Sequence, residues 1–269
     1  MTTTRHQTTA PARSALAGEV AVELQGVTKG FARKEVLCGL NLAIWTGEVL
    51  TILGGSGSGK SVLLRLIIGL MKPEAGQILI QGRDIVPLSE AELLKVRQRV
   101  GMLFQGGALF DSLTVAENVA FPLREHTTMS KGQIMSRVEE VLALVGLAGI
   151  GKQMPAELSG GMRKRVALAR AIALPPRIIL YDEPTTGLDP QNVEKINELI
   201  VDLQAKLDLT SVVVTHDLQS TFRISDRIAL LSRGRIALVA TPAEMARTED
   251  PEVRAFLDVS HEAGTPRHA

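Results

Sequence analysis

The segment Gly-Gly-Ser-Gly-Ser-Gly-Lys-Ser at 54–61 constrains the fold more than any other part of this chain. It follows the apolar run EVLTILG and opens into SVLLRLIIGL. A strand, a glycine-rich loop and a helix in that order fit the phosphate-loop pattern G-x-x-x-x-G-K-[ST]. Its glycines, Gly54, Gly55, Gly57 and Gly59, let backbone N–H groups converge on phosphate oxygens, with Ser56 and Ser58 between them. The start of the following helix adds a favourable dipole. Lys60 is placed to pair with β- and γ-phosphates, and the Ser61 hydroxyl to ligate Mg²⁺.

A second signal lies more than a hundred residues further on. RIILYDEP at 177–184 is almost wholly apolar, as a strand with both faces buried must be, and it carries Asp182 and Glu183 to its C-terminal end. Ligands of open α/β sheets bind at that end. Asp182 is expected in the outer shell of Mg²⁺, and Glu183 to orient or deprotonate a water. On its own a DE pair is a solvated strand end; the phosphate loop makes it a site candidate. TSVVVTHD at 210–217 is another buried strand, ended by His216, a candidate donor to a γ-phosphate. A lone His is more often structural.

Buried strands alternating with helices imply a mostly parallel α/β core. Short strands are expected at VAVELQGV, LNLAIW and QILIQGRDI. Ser89 opens a capping box with Glu92, starting a helix to about Arg99. Residues 130–151 place Ile134, Val138, Val141, Leu142 and Val145 at helical spacing, and MRKRVALARAIAL forms a helix stopped by Pro175–Pro176. Another helix spans 191–207. RIALLSRGRIALVA reads as a hairpin turning at Arg233–Gly234, followed by Pro-led helix starts at 241 and 250. The stretch MLFQGGALFDSLTVAENVAFPLREH at 102–126 reads as a loop of unusual apolar content, holding three of the six phenylalanines.

The expected domains are a disordered tail at 1–18, an ATPase domain at 19–240 with a helical subdomain inserted at about 108–165, and a C-terminal helical extension at 241–269. A net charge of +1 gives no general attraction to nucleic acid, and no nucleic-acid partner is expected. The single Cys38 fits a reducing compartment and a small core residue. The N-terminus has no apolar core of a secretory signal, and no apolar run approaches bilayer length, so membrane association is expected only through a partner.

Taken in order, these residues resemble the nucleotide-binding subunit of ABC transporters, over about 20 to 240. The matching motifs are the Walker A loop at 54–61, the Q-loop at Gln105, the signature LSGGM at 158–162, the Walker B strand IILYDE at 178–183, the D-loop GLDP at 187–190 and the switch His216. The resemblance implies a P-loop NTPase (RecA-like) core with an N-terminal antiparallel β subdomain and an inserted α-helical subdomain. It implies ATP and Mg²⁺ as ligands, with Ser61, Gln105 and Asp182 toward the metal. Lys60, Glu183, His216 and Gln105 would be catalytic, and Phe31 would stack on adenine. It further implies that Ser159, Gly160, Gly161 and Asp189 face away from their own phosphate loop. A head-to-tail homodimer would then sandwich two ATPs. Two residues depart from the pattern: Val62 replaces a hydroxyl residue that contacts the α-phosphate, and Met162 replaces a polar signature residue.

GGSGSGKSVLLRLIIGL, FQGGALFDSLTVAENVAFPLREH, MPAELSGGMRKRVALARAIAL and DPEVRAFLD look like the Mla-type (MlaF-like, Mce-associated) phospholipid-transport ATPases. That resemblance implies an MlaE-like membrane permease as partner, with a STAS-domain accessory protein and a periplasmic MCE-domain lipid-binding protein in the complex. The chain would lie on the cytoplasmic face of the inner membrane. An ABC ATPase for another cargo, such as an amino acid, metal or drug, is the alternative. A non-transport ABC ATPase predicts tandem cassettes or a long coiled coil, and neither pattern is present. Gly106 and Gly107 are expected to let the helical lobe swing about Gln105; of Leu109, Phe110, Leu113 and Val115 some belong to the lobe core, and as a group they are expected to line a groove for the permease.

Overall fold

The computed structural model describes residues 18–32 and 34–263, with side-chain surroundings to residue 258. The tail expected at 1–18 lies, apart from Gly18, outside the described residues. Two sheets organise the rest. In the first, β1 (Val20–Phe31) pairs antiparallel with β2 (Lys34–Trp45) and with β4 (Ala75–Ile80), and β5 (Arg83–Asp84) closes the order β2-β1-β4-β5. Val22, Leu24 and Val27 are buried on its inner side. Both long strands run beyond their apolar segments, because the β1–β2 ladder continues through bulges to Phe31↔Lys34. Backbone pairing extends a strand where side-chain alternation has already stopped.

The second sheet has the order β10-β9-β3-β8-β7-β6. Its members are β3 (Val49–Leu53), β6 (Val100–Leu103), β7 (Ile178–Asp182), β8 (Thr210–Thr215), β9 (Arg227–Ser232) and β10 (Arg235–Ala240). All neighbours pair parallel except the β9–β10 hairpin. Arg233 and Gly234 both take positive φ at that turn, as a two-residue hairpin loop prefers. β3, β7 and β8 are buried at every position, which is why they carry no polar alternation. The edge strand β6 was not legible, since four residues show no period. A Cβ at its Gly101 would come within 2.6 Å of the Ala171 carbonyl, so glycine lets a helix lie directly on the strand.

α1 (Lys60–Ile67) and the first sheet enclose one core on one face of the second sheet. On its other face lie α3 (Val115–His126), α4 (Lys131–Leu144), α5 (Gly160–Ala171) and α6 (Pro190–Leu207). α3 corrects the loop reading of 102–126. Its signal was present: Thr114 accepts from the Glu117 N–H while the Glu117 carboxylate accepts from the Thr114 N–H, a complete capping box. Pro122 sits inside this helix and obscures it in sequence. Val115 is fully buried in the helical-lobe core, so it does not line a surface groove. α2 (Glu90–Arg97) carries the capping box of Ser89 and Glu92.

A third, smaller core forms where α7 (Leu218–Ile224), α8 (Pro242–Arg247) and α9 (Pro251–Ala263) meet β9. Met245, Val253 and Leu257 are buried there with Leu53 and Leu230, so the C-terminal extension packs on its own chain. Among the described residues no helix is long and apolar enough to cross a membrane.

Candidate nucleotide-binding site

Four adjacent parallel strands end at the same edge. The register Leu53↔Thr215, Asp182↔Val214 and Leu103↔Tyr181 aligns the C-termini of β3, β8, β7 and β6. The segments that leave them carry 54–61, His216, Glu183 and Gln105, so residues far apart in sequence meet in one crevice outside the carboxyl ends of the strands. The resulting cleft is about 1480 Å³ and is lined by Phe31, residues 55–62, Gln105, Glu183 and His216. Gly54 and Asp182 lie just beneath this surface, and Asp182 is only 5% exposed.

The phosphate loop is shaped by steric necessity at two glycines. A Cβ at Gly54 would stand 2.7 Å from the Leu231 carbonyl, and Gly59 takes φ 104° with its Cβ position 2.8 Å from Val36. Gly55, at the mouth, faces open space. Lys60 is buried, and its ammonium donates to the carbonyls of Gly54 (2.7 Å) and Gly55 (3.1 Å). Ser58 Oγ is buried within the phosphate loop, close against Gly54, with no hydrogen-bond partner. Phe31 is 44% exposed at the rim, flanked by Lys29.

Two neighbouring carboxylates are pushed apart in acidity. Burial raises the Asp182 pKa, against a 2.8 Å hydrogen bond from Ser61 Oγ, and the adjacent Glu183 charge raises it further. Burial also works against the Glu183 charge, but His216 and Lys60 outweigh it and hold its pKa below the ordinary range. Glu183 Oε2 lies 2.9 Å from His216 Nδ1 and accepts from Thr186 Oγ1 (3.1 Å) and Thr215 Oγ1 (3.2 Å); Oε1 is 3.4 Å from Lys60 Nζ. Glu183 adopts φ 47°, a left-handed conformation uncommon for a non-glycine residue and concentrated at functional sites.

The Ser61–Asp182 pair is a hydroxyl and a carboxylate beside a phosphate loop, a donor set suited to Mg²⁺, which takes few protein ligands alongside phosphate and water.

Other candidate residues stand outside this cleft. Ser159 is the exposed N-cap of α5, where its hydroxyl accepts from the Met162 N–H, and Gly160 is exposed beside it. Gly161 packs so closely on α6 that a Cβ would meet Asn192 Oδ1 at 2.5 Å. Asp189 caps α6, with its carboxylate held by the Asn192 backbone and side chain. Met162 packs partly against the helical-lobe core. Val62, unlike these, lies on the cleft wall.

The segment after Gln105 is tied to α5. Gly107 takes φ 75°, and the Arg170 guanidinium donates to the carbonyls of Gly107 (3.0 Å) and Ala108 (2.8 Å). Phe110 and Phe121 form a tilted ring pair with centroids 4.9 Å apart and are 43% and 40% exposed, with Arg170 over the Phe110 ring. Asn118 beneath them is fully buried and holds the Phe110 backbone at both its N–H and its carbonyl. Sequence reasoning missed Asn118, Lys164, Thr186 and Thr215. A lysine in Met-Arg-Lys-Arg reads as solvent-facing, yet Lys164 is 7% exposed and reaches the Glu183 carbonyl.

The ABC transporter family profile matches residues 37–186. The probable ribonucleotide transport ATP-binding protein mkl of Mycobacterium tuberculosis is 44% identical over 239 residues, spanning 89% of this chain and 67% of that protein. The intermembrane phospholipid transport system ATP-binding protein MlaF of Haemophilus influenzae is 43% identical over 236 residues, spanning 88% of this chain and 89% of its own. The dimeric post-hydrolysis structure of the ATP-binding cassette MJ0796, bound to ADP and Pi, superposes with a TM-score of 0.76 at 37% identity, covering 82% of this chain and 98% of that one. The strand order, the phosphate loop and these likenesses agree: the chain belongs to the ABC transporter family, as a P-loop cassette that binds and hydrolyses ATP.

Proposed function

We propose that the chain powers phospholipid transport between the inner and outer membranes through a separate MlaE-like permease. The observation that carries this reading is the 43% identity with MlaF across nearly nine-tenths of both chains. The exposed Phe110–Phe121 pair, continuous with Gln105 through the Arg170 bonds, supplies an apolar surface for a cytoplasmic helix of that permease. A STAS-domain accessory protein and a periplasmic MCE-domain protein complete the proposed assembly, which holds the chain on the cytoplasmic face of the inner membrane. Residues 19–240 form the proposed ATPase domain, with the helical subdomain at about 108–165. Residues 241–269 form the C-terminal extension.

In the proposed mechanism Phe31 stacks on adenine and the loop N–H groups, with Ser58 Oγ, receive the phosphates. Lys60 turns from its loop carbonyls to the β- and γ-phosphates. Ser61, Asp182 and Gln105 would hold Mg²⁺, which neutralises charge on the β- and γ-oxygens when bound. Glu183 accepts the proton of the attacking water, and His216, displaced from Glu183, donates to the γ-phosphate. Two copies close head to tail, each supplying Ser159, Gly160, Gly161 and Asp189 to the ATP held by the other's phosphate loop. The exposed, capped start of α5, whose Ser159, Gly160 and Gly161 do not line their own cleft, supports that arrangement. Dimer closure on ATP and reopening after hydrolysis then drive the permease.

The ribonucleotide-transport name of the mkl relative keeps another cargo as the second reading. Purification of the tagged chain from its native membrane tests the choice. Recovery of an MlaE-like permease, with ATP-dependent phospholipid transfer abolished by Glu183→Gln, is the expected result. A stable complex with a permease that works with a solute-binding protein would overturn it.

A further inference from the structure

Lysine is among the residues least often fully buried, because its ammonium must leave water. Lys164 is 7% exposed, on the inner face of α5, one turn from the helix start at Gly160. Its Nζ donates to the main-chain carbonyl of Glu183 at 2.9 Å. The Glu183 N–H donates to the Val214 carbonyl at 2.9 Å. Both peptide groups flanking the Glu183 Cα are therefore tied, the N–H to β8 and the carbonyl to α5 through the shorter of its two bonds, the Thr186 N–H lying at 3.3 Å. Glu183 itself is left-handed at φ 47°, a conformation that persists only where its surroundings impose it. Burial lowers the Lys164 pKa, while the Asp182 and Glu183 charges offset part of that cost.

We propose that Lys164 is a positioning residue for ATP hydrolysis: its hydrogen bond to the Glu183 carbonyl holds the Glu183 backbone in its left-handed conformation, aims the carboxylate, and anchors it to the start of α5. This rests on Glu183 being the base. The bond requires a donor and a reach, not a charge. Glutamine keeps a donor one bond short of the lysine ammonium, and methionine removes the donor at similar size.

The test measures steady-state hydrolysis and equilibrium binding of a fluorescent ATP analogue by the full chain. Lys164→Met lowers kcat by about tenfold or more, as misplacement of a reacting group does, with KM and analogue affinity within about twofold of wild type. Lys164→Gln keeps kcat within about threefold, because the donor is restored. In a Glu183→Gln background, adding Lys164→Met causes no further loss, since the lysine acts through that carboxylate. The proposal is overturned if Lys164→Met retains wild-type kcat, if only KM changes, or if the double variant falls below Glu183→Gln alone. Should the Met variant not fold, Lys164→Gln still decides against the proposal if it loses tenfold in kcat with analogue affinity intact. Lys164→Ala then replaces Met for the loss arm. Near-wild-type turnover by Glu183→Gln would instead remove the base assignment itself, which separates the two failures.

Discussion

Replacing Asn118 tests whether the surface at Phe110 is held by one buried side chain. Asn118 accepts from the Phe110 N–H at 2.8 Å and donates to the carbonyls of Phe110 (3.1 Å), Leu113 (3.0 Å) and Thr114 (3.1 Å). Two of those carbonyls keep another partner when the side chain is lost. Phe110 O still accepts from the Leu113 N–H, and Thr114 O still accepts from the Asn118 N–H. Asn118→Ala therefore orphans the Phe110 N–H and the Leu113 carbonyl. Each buried orphan costs about 1–3 kcal/mol, and the exposed neighbours Phe110 and Asp111 let water reach the pair, so the low end applies: about 2 kcal/mol in total. For a domain of this size that is a fall in Tm of about 4–8 °C.

Asn118→Asp is the sharper variant. It keeps the acceptor for the Phe110 N–H but directs a carboxylate at three carbonyl oxygens in a site with no exposure, so it must cost more than alanine. Urea or thermal unfolding of the three proteins gives the order wild type, Ala, Asp. A loss below about 0.5 kcal/mol for Ala, or Asp at least as stable as Ala, would refute the reasoning.

Three further perturbations bear on the loop, the exposed Phe110 surface and the caps. Gly54→Ala sets a Cβ 2.7 Å from a backbone carbonyl that cannot yield and should cost about 1–3 kcal/mol, whereas Gly55→Ala faces open space and should stay within about 0.5 kcal/mol in unfolding assays. Phe110→Glu, exposed at 43%, should leave basal ATP hydrolysis unchanged while permease-coupled transport falls, measured in reconstituted vesicles. The Glu92, Glu117 and Glu244 carboxylates are held below the ordinary value of 4.5 by the backbone N–H and hydroxyl groups of Ser89, Thr114 and Thr241. A lowered folded pKa gives stability that is full above 4.5 and lost as pH falls through the lowered values. Glu117→Gln, which keeps the cap without titrating, should therefore lose less Tm than wild type between about pH 5 and about pH 3.

What the sequence determined by itself were the local chemistries: a phosphate loop, buried strands without alternation, capping boxes and a hairpin turn. Each is written in a few consecutive residues, where backbone sterics and hydrogen-bond rules act at short range. The α/β class followed from the succession of those elements. β6 and α3 escaped it, the first for being four residues long and the second because Pro122 masks a helix that Thr114 and Glu117 open.

Only the tertiary structure decided which distant residues act together. Parallel registry places Gln105, Glu183 and His216 beside the loop at 54–61, and no local pattern encodes that alignment. Packing likewise decided that Lys164 and Asn118, polar residues on helices, point inward, that Val115 is core, and that Val253 and Leu257 close onto their own chain. Burial is a property of what covers a residue, and the covering elements here come from elsewhere in the chain.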